Sequence, residues 1–256
     1  MTLFERRFPG NPDRQAIGLH CMMGSSGLFE PLMSYLDDLI GMHSFDFPGH
    51  GRSPDWSLKG ETDLHTYVTR HAAQIIGQPV DLIGHSFGAT VALRIAVSAP
   101  QAIRSLTLIE PVMFAAASEP SRKAEYARLA PFEKHQDWDG MLQRFLGDWG
   151  SAGPIPTEGP RADRLRKQMQ MVISTNAALM SDQPNILRED GLEGIDAPVM
   201  LISGSESPDI IHEIATTLAA RLPDVGRATI PGAGHMLPLT HPERLAGLVR
   251  VNLERA

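Results

Sequence analysis

The stretch that most constrains this chain is Gly84-His85-Ser86-Phe87-Gly88, a Gly-x-Ser-x-Gly pattern in a definite setting. The apolar run Val80-Asp81-Leu82-Ile83 precedes it and reads as a buried strand. Residues 89–97 follow with the spacing of a helix whose apolar side is packed, and Pro100 stops that helix. A strand that turns sharply into a helix is the context in which this pattern makes a nucleophile elbow. The serine takes a strained backbone conformation, and its neighbours two residues away must lack side chains or clash. Its hydroxyl then stands at the end of a strand, beside the free amides of a helix N-terminus. A glycine-flanked serine can also be a packing device, so the rest of the chain has to supply a base and an acid.

Residues 2–8 read as an edge strand, closed by Pro9-Gly10-Asn11-Pro12, and residues 16–20 as a buried strand running into a loop of small residues, 20–27. Apolar positions at Leu28, Leu32, Tyr35, Leu36 and Leu39 predict a helix over 28–40. A strand over 42–45 runs into the Gly-rich turn 46–53, and a helix is expected over 63–76. The elbow unit follows, then a strand over 104–109 ending at Glu110-Pro111. This alternation predicts an α/β fold, a mostly parallel sheet covered on both faces.

At Val112 the rhythm changes. From about 114 to about 189 the pattern is helical, with Trp138, Leu142, Phe145 and Trp149 on one stripe. Leu165, Met169, Val172, Ile173 and Met180 form another, and 150–156 reads as a loop between them. Most of these stripes are packing, and a few are expected to roof a site. The sheet resumes with strands at 199–203 and 227–230, helices at 212–221 and 242–254, and a Gly-rich loop, 231–236.

The length of 256 residues suits one large domain or a core with a small insertion. A net charge of −7 without a Lys/Arg run argues against a nucleic-acid partner. The single cysteine, Cys21, allows no internal disulfide and reads as a small packed residue. No signal peptide and no membrane span are expected, which places the chain in the cytoplasm. No His-Glu-x-x-His or similar metal spacing and no phosphate-cradling loop is visible, so neither metal nor cofactor is expected.

Four motifs in order now resemble the α/β-hydrolase fold over nearly the whole chain. They are His20-Cys21-Met22-Met23-Gly24, Asp46-Phe47-Pro48-Gly49-His50-Gly51-Arg52-Ser53, Gly84-His85-Ser86-Phe87-Gly88 and Gly232-Ala233-Gly234-His235-Met236. The resemblance implies an eight-strand-type sheet formed by 1–113 and 191–256, with a helical cap, 114–190, inserted after Glu110. It also implies that Ser86 is the nucleophile, that His235 is the base, and that the backbone N–H groups of Met22 and Phe87 form an oxyanion hole. Cys21 departs from the family's common His-Gly pair. His20 and His50 shape loops, His85 faces away from the hydroxyl, and His43, His65, His71, His135, His212 and His241 have no catalytic context.

The acid is the difficult member. The family usually supplies it as Gly-x-x-Asp after the strand ending near Ser203, where this chain has Gly204-Ser205-Glu206-Ser207, with Asp209 and Glu206 out of register. Certain members, some dehalogenases among them, place it instead after the strand preceding the cap. Leu108-Ile109-Glu110-Pro111 puts a carboxylate at such a strand end with a rigid exit, and Glu110 is therefore the preferred acid, Asp209 and Glu206 the alternatives. A serine nucleophile implies acyl transfer. The expected substrate is a small apolar carboxylic ester, lactone or thioester, held by Met22, Met23, Met113, Phe114 and Met236. Carbon–carbon bond hydrolysis of a ring-cleavage product, or ligand binding without chemistry, are the alternatives, and the oligomeric state stays open.

Overall fold

The computed structural model describes residues 1–57, 60, 62–150 and 154–256 of the chain. Residues 151–153 of the expected 150–156 loop lie outside the described residues. Seven strands form one sheet: β1 (Glu5–Phe8), β2 (Gln15–Leu19), β3 (Gly41–Phe45), β4 (Val80–His85), β5 (Ile103–Ile109), β6 (Val199–Gly204) and β7 (Val225–Ile230). The helices in chain order are α1 (Glu30–Met33), α2 (Leu64–Gln74), α3 (Phe87–Ser98), α4 (Glu119–His135), α5 (Trp138–Trp149), α6 (Gly159–Met180), α7 (Asp209–Ala219), α8 (Leu237–Thr240) and α9 (Pro242–Glu254).

The strand order is β1-β3-β2-β4-β5-β6-β7, parallel throughout except for β1, which runs antiparallel to β3. The eight-strand-type expectation is met with seven strands among the described residues. At one of the two edges, β1 alternates exposed and half-buried positions. Strands β4 and β6 are buried at every position, because apolar helices cover both faces of the sheet. One buried cluster joins α2, α3 and α7 to the sheet, and a second joins α1, α8 and α9 to its other face.

The predicted helix over 28–40 is corrected. A short 3-10 turn, Ser26–Phe29, leads into the single turn of α1, and residues 34–39 form successive turns. Backbone bonds from Tyr35 to Leu32, Leu36 to Met33 and Leu39 to Leu36 span three residues instead of four. Leu28, Leu32 and Leu36 are buried nonetheless, while Tyr35 is exposed and Leu39 half-buried, so only part of the apolar spacing is met without a continuous helix.

The lower end of β4 carries a buried carboxylate, Asp81, held by Arg14 at 2.7 Å, Arg104 at 3.1 Å and the Ser105 hydroxyl at 2.7 Å. Its charge is fully compensated, so it fastens β4 to its neighbours at the end of the sheet away from Ser86. At the other end, β2, β4, β5 and β7 each run into a loop that carries a candidate residue, the usual place for function in an open parallel sheet. Helices α4, α5 and α6 lie between β5 and β6 and share a cluster of their own, Leu129, Met141, Leu142, Met169 and Val172. Helix α6 rests on the 46–55 loop through Gln168 to the Gly49 carbonyl, Arg164 to the Gly51 carbonyl and Lys167 to Asp55.

Candidate active site

Ser86 stands between β4 and α3 with φ +56° and ψ −119°, a conformation few residues adopt. Its amide is tied to the Ile109 carbonyl at 2.9 Å, which fastens the elbow to the neighbouring strand. Both flanking glycines are required by contact. A Cβ on Gly84 would lie 2.5 Å from the Gly88 oxygen, and one on Gly88 would lie 2.1 Å from the Leu19 oxygen. The expected reason for the glycines therefore holds, and Gly88 is pressed directly against the loop that follows β2.

Ser86 Oγ lies 2.9 Å from His235 Nε2, and His235 Nδ1 lies 2.9 Å from Glu110 Oε2. The three residues are 7%, 6% and 0% exposed. With Nδ1–H donating to the carboxylate, Nε2 is left as the acceptor of the serine proton. The three side chains come from the ends of β4, β5 and the loop after β7, so the chain brings together the serine, histidine and glutamate that the sequence singled out.

Glu110 follows β5 directly with φ +52°, and its amide donates to the Ile202 carbonyl at 2.8 Å. One carboxylate oxygen, Oε2, serves His235. The other, Oε1, accepts from the Gly204 amide at 2.6 Å and the Ser207 hydroxyl at 2.8 Å. A buried carboxylate with three donors is stably held and aimed. The alternatives are placed elsewhere. Glu206 and Asp209 are exposed, and Asp209 opens α7 as its first-turn acid, where it favours the helix dipole.

His85 points away from the hydroxyl, as expected, and has a role that sequence reasoning missed. Its Nε2–H donates to the His235 carbonyl at 2.8 Å and anchors the loop that carries His235. Burial, with the nearby His235 adding to it, pushes His85 down to about 3, so it stays neutral. Trp149, at the end of α5, meets the His235 ring edge-on at 4.8 Å. Neither contact has a local sequence signal, because the partners lie far apart in the chain.

The loop after β2 is stapled by His20. Its Nδ1–H donates to the Cys21 carbonyl at 2.7 Å, Nε2 accepts from the Phe47 amide at 2.9 Å, and its ring stacks on Phe47 at 3.7 Å. Burial holds His20 well below its ordinary range, consistent with that neutral tautomer. Among the described residues, the Met22 and Phe87 N–H groups have no acceptor, and both residues line the space around Ser86. Phe87 is the first residue of α3, where an amide has no intrahelical partner. Burial drives the Cys21 thiol up to about 12, so it is a packed, unreactive group.

Two spaces meet at Ser86 and His235. One is an open cleft of about 1100 Å³ that reaches Met23, Met236 and the segment 154–156. The other is a narrow pocket walled by Met22, Phe87, Val112, Phe114, Phe145 and Trp149, with Glu125 and Asn176 as its polar members. Of the expected apolar residues, Met113 alone is corrected. It is fully buried in the core and faces neither space, because the chain turns into a short 3-10 segment immediately after it. Among the described residues, no three His, Cys, Asp or Glu side chains are arranged to hold a metal ion. No described helix is long and apolar enough to cross a membrane.

A model of the alpha/beta hydrolase family matches residues 17–248. The pimeloyl-[acyl-carrier protein] methyl ester esterase of Yersinia pseudotuberculosis serotype IB is 26% identical over 248 residues, 94% of this chain and 93% of that protein. The (E)-2-((N-methylformamido)methylene)succinate hydrolase of Acinetobacter baylyi is 25% identical over 229 residues, 88% of this chain and 84% of that one. Among solved structures, a carboxylesterase study of Nitrososphaera gargenis supplies a chain with a TM-score of 0.73 and 15% identity. The match covers 99% of this chain and 96% of that one, and it speaks to the fold alone.

Proposed function

This chain belongs to the alpha/beta hydrolase family, and we propose that within it the chain is a serine esterase that works through an acyl-enzyme. The observation that carries the reading is the unbroken line of hydrogen bonds from Ser86 Oγ through His235 to Glu110, at 2.9 Å in each step. Ser86 Oγ attacks the ester carbonyl carbon while His235 Nε2 takes the hydroxyl proton. Glu110 keeps the imidazole oriented and offsets its positive charge. The N–H groups of Phe87 and Met22 receive the oxyanion. Collapse breaks the carbonyl–oxygen bond, and the leaving alcohol departs with the proton from His235. Water then repeats the sequence on the acyl-enzyme, releasing the acid and restoring Ser86.

Residues 114–190 are read as the cap. What supports this is that α4, α5 and α6 supply Glu125, Phe145, Trp149, Val172 and Asn176 to the narrow pocket, so the insertion sets which substrates fit. A small-molecule ester with a bulky half in the cleft and a short half in the pocket matches the two unequal spaces. The related pimeloyl ester esterase and succinate hydrolase support carboxylic substrates as a class.

The test is hydrolysis of p-nitrophenyl esters from acetate to long acyl chains, with Ser86→Ala beside the unaltered protein and a fluorophosphonate as label. Turnover and labelling that both vanish in Ser86→Ala support the reading. Labelling without ester turnover would turn attention to carbon–carbon bond hydrolysis, and no labelling at all would leave a binding protein.

A further inference from the structure

The narrow pocket contains one group that the esterase chemistry does not use. Glu125, on α4, is 7% exposed, lines the pocket that holds Ser86 and His235, and sits among apolar walls. No hydrogen bond to its carboxyl within the 2.7–3.2 Å range of a strong contact comes from its cation: Arg128 Nε is 3.9 Å away, and that buried N–H itself has no hydrogen-bond partner among the described residues. Arg128 is engaged instead with Asp148 at 2.6 Å, which also pairs with Arg144 at 2.8 Å. The donor it has is the Trp149 indole N–H, which leaves the carboxyl's other acceptor positions open to the pocket. Half-buried Asn176, on α6, lines the same pocket, and its side-chain amide has no hydrogen-bond partner among the described residues.

A carboxyl kept in an apolar pocket costs free energy unless something bonds to it. Burial raises the Glu125 carboxyl above its ordinary range, with Arg128 and Trp149 opposing. The charges around it restrict what can do the bonding. A substrate carboxylate would face Glu125 with Asp148 behind it. An ammonium would face Arg128 and Arg144 from the same wall. A neutral group that both donates and accepts can bond the carboxyl and the amide of the same lining without either conflict.

We propose that Glu125 and Asn176 form a specificity site for a hydroxyl on a short acyl chain, so that the preferred substrates are hydroxyacyl esters rather than plain alkyl esters. The proposal rests on the esterase reading and names its substrate class. A pocket built to bond a hydroxyl rejects the analogue with a methyl in its place, because the pocket's own polar groups are then left unpaired.

The experiment uses isosteric p-nitrophenyl pairs that differ by hydroxyl for methyl: 2-hydroxypropanoate against 2-methylpropanoate, and 3-hydroxybutanoate against 3-methylbutanoate. The nitrophenyl group occupies the wide cleft and leaves the acyl chain to the pocket. The unaltered protein is expected to favour the hydroxy ester of at least one pair by about tenfold or more in kcat/KM. Glu125→Leu is expected to invert that preference, raising turnover of the methyl ester and lowering that of the hydroxy ester. Glu125→Ala serves the same purpose if the leucine variant does not fold. Esters that turn over, with no hydroxyl preference in either pair or with a preference that survives both variants, would overturn the proposal and leave the esterase standing. If no ester turns over and a fluorophosphonate fails to label Ser86, the esterase reading falls and the proposal with it.

Discussion

Ser207 donates its hydroxyl to Glu110 Oε1 at 2.8 Å, across 97 positions of sequence. Ser207 occupies the position where a Gly-x-x-Asp acid would stand, and Glu110 reaches the histidine from the neighbouring strand. The carboxylate is thus placed directly after β5 and the hydroxyl that supports it after β6. The consequence is measurable. Ser207→Ala removes one of three donors while Gly204 and His235 remain, so it is expected to lower kcat about tenfold with KM little changed. A purely structural role for Ser207 would lower thermal stability and leave the kcat of the folded fraction as it was.

Glu110→Gln should cost far more. The amide offers only one acceptor oxygen, and turning its NH₂ toward His235 Nδ1 favours the wrong tautomer. A loss of about 10³-fold to 10⁴-fold in kcat is expected, the scale typical of altering a triad acid. Asp209→Asn and Glu206→Gln, both exposed, should stay within about twofold in the same assay. If Asp209→Asn were the crippled variant, the acid would have to be reassigned.

Gly88 and Gly77 make a matched pair for testing the elbow. A Cβ at Gly88 meets the Leu19 oxygen at 2.1 Å and the His20 oxygen at 2.5 Å, both backbone atoms that cannot move aside. Nothing lies within 4 Å of a Cβ at Gly77. Gly88→Ala is expected to destabilise by about 3 kcal/mol or more, or to prevent soluble expression. Gly77→Ala should change stability by about 0.5 kcal/mol or less. Urea midpoints of the two variants decide it, and equal midpoints would show that the β2 loop yields more readily than its packing implies.

The three side chains that the fold brings into one hydrogen-bonded line are each marked in the sequence by local backbone features. Ser86 announces itself by the glycines at two residues on either side, Glu110 by the proline that follows a buried strand, and His235 by its Gly-rich loop. What was not legible depends on segments that meet only in the fold. Ser207 supports Glu110, His85 anchors the His235 carbonyl, and Trp149 braces the His235 ring, each across a long sequence separation with no periodic signal. The region 28–40 failed differently. Its apolar spacing fits a helix, but three-residue turns bury Leu28, Leu32 and Leu36 as well, and periodicity alone cannot separate the two. Asp209 is a candidate acid in the sequence because it stands two residues beyond the Gly-x-x-Asp position, and the structure places it exposed, in the first turn of α7.

Acid sensitivity follows from the buried histidines. Burial pushes His85 and His65 down to about 3 and His50 down to about 4, with His85 also facing His235 and His65 also facing Arg94. In the unfolded chain each returns to a pKa near ~6.5. Between those limits the unfolded state binds more protons than the folded state, so stability rises with pH through the window and is lost as pH falls. The contribution is fully present above about pH 6.5, and each of these histidines then removes up to about 1.4 kcal/mol per pH unit on the way down. Glu125, whose carboxyl is raised by burial, works in the opposite direction, but it is a single group. By about pH 4.5 the three histidines together reach several kcal/mol, on the scale of a domain's whole stability of ~5–15 kcal/mol. The urea midpoint, measured from about pH 8 down to about pH 4.5, is expected to hold steady to about pH 6.5 and then fall steeply. A midpoint that stayed flat to about pH 5 would mean that these imidazoles take up protons in the folded state as readily as in the unfolded chain.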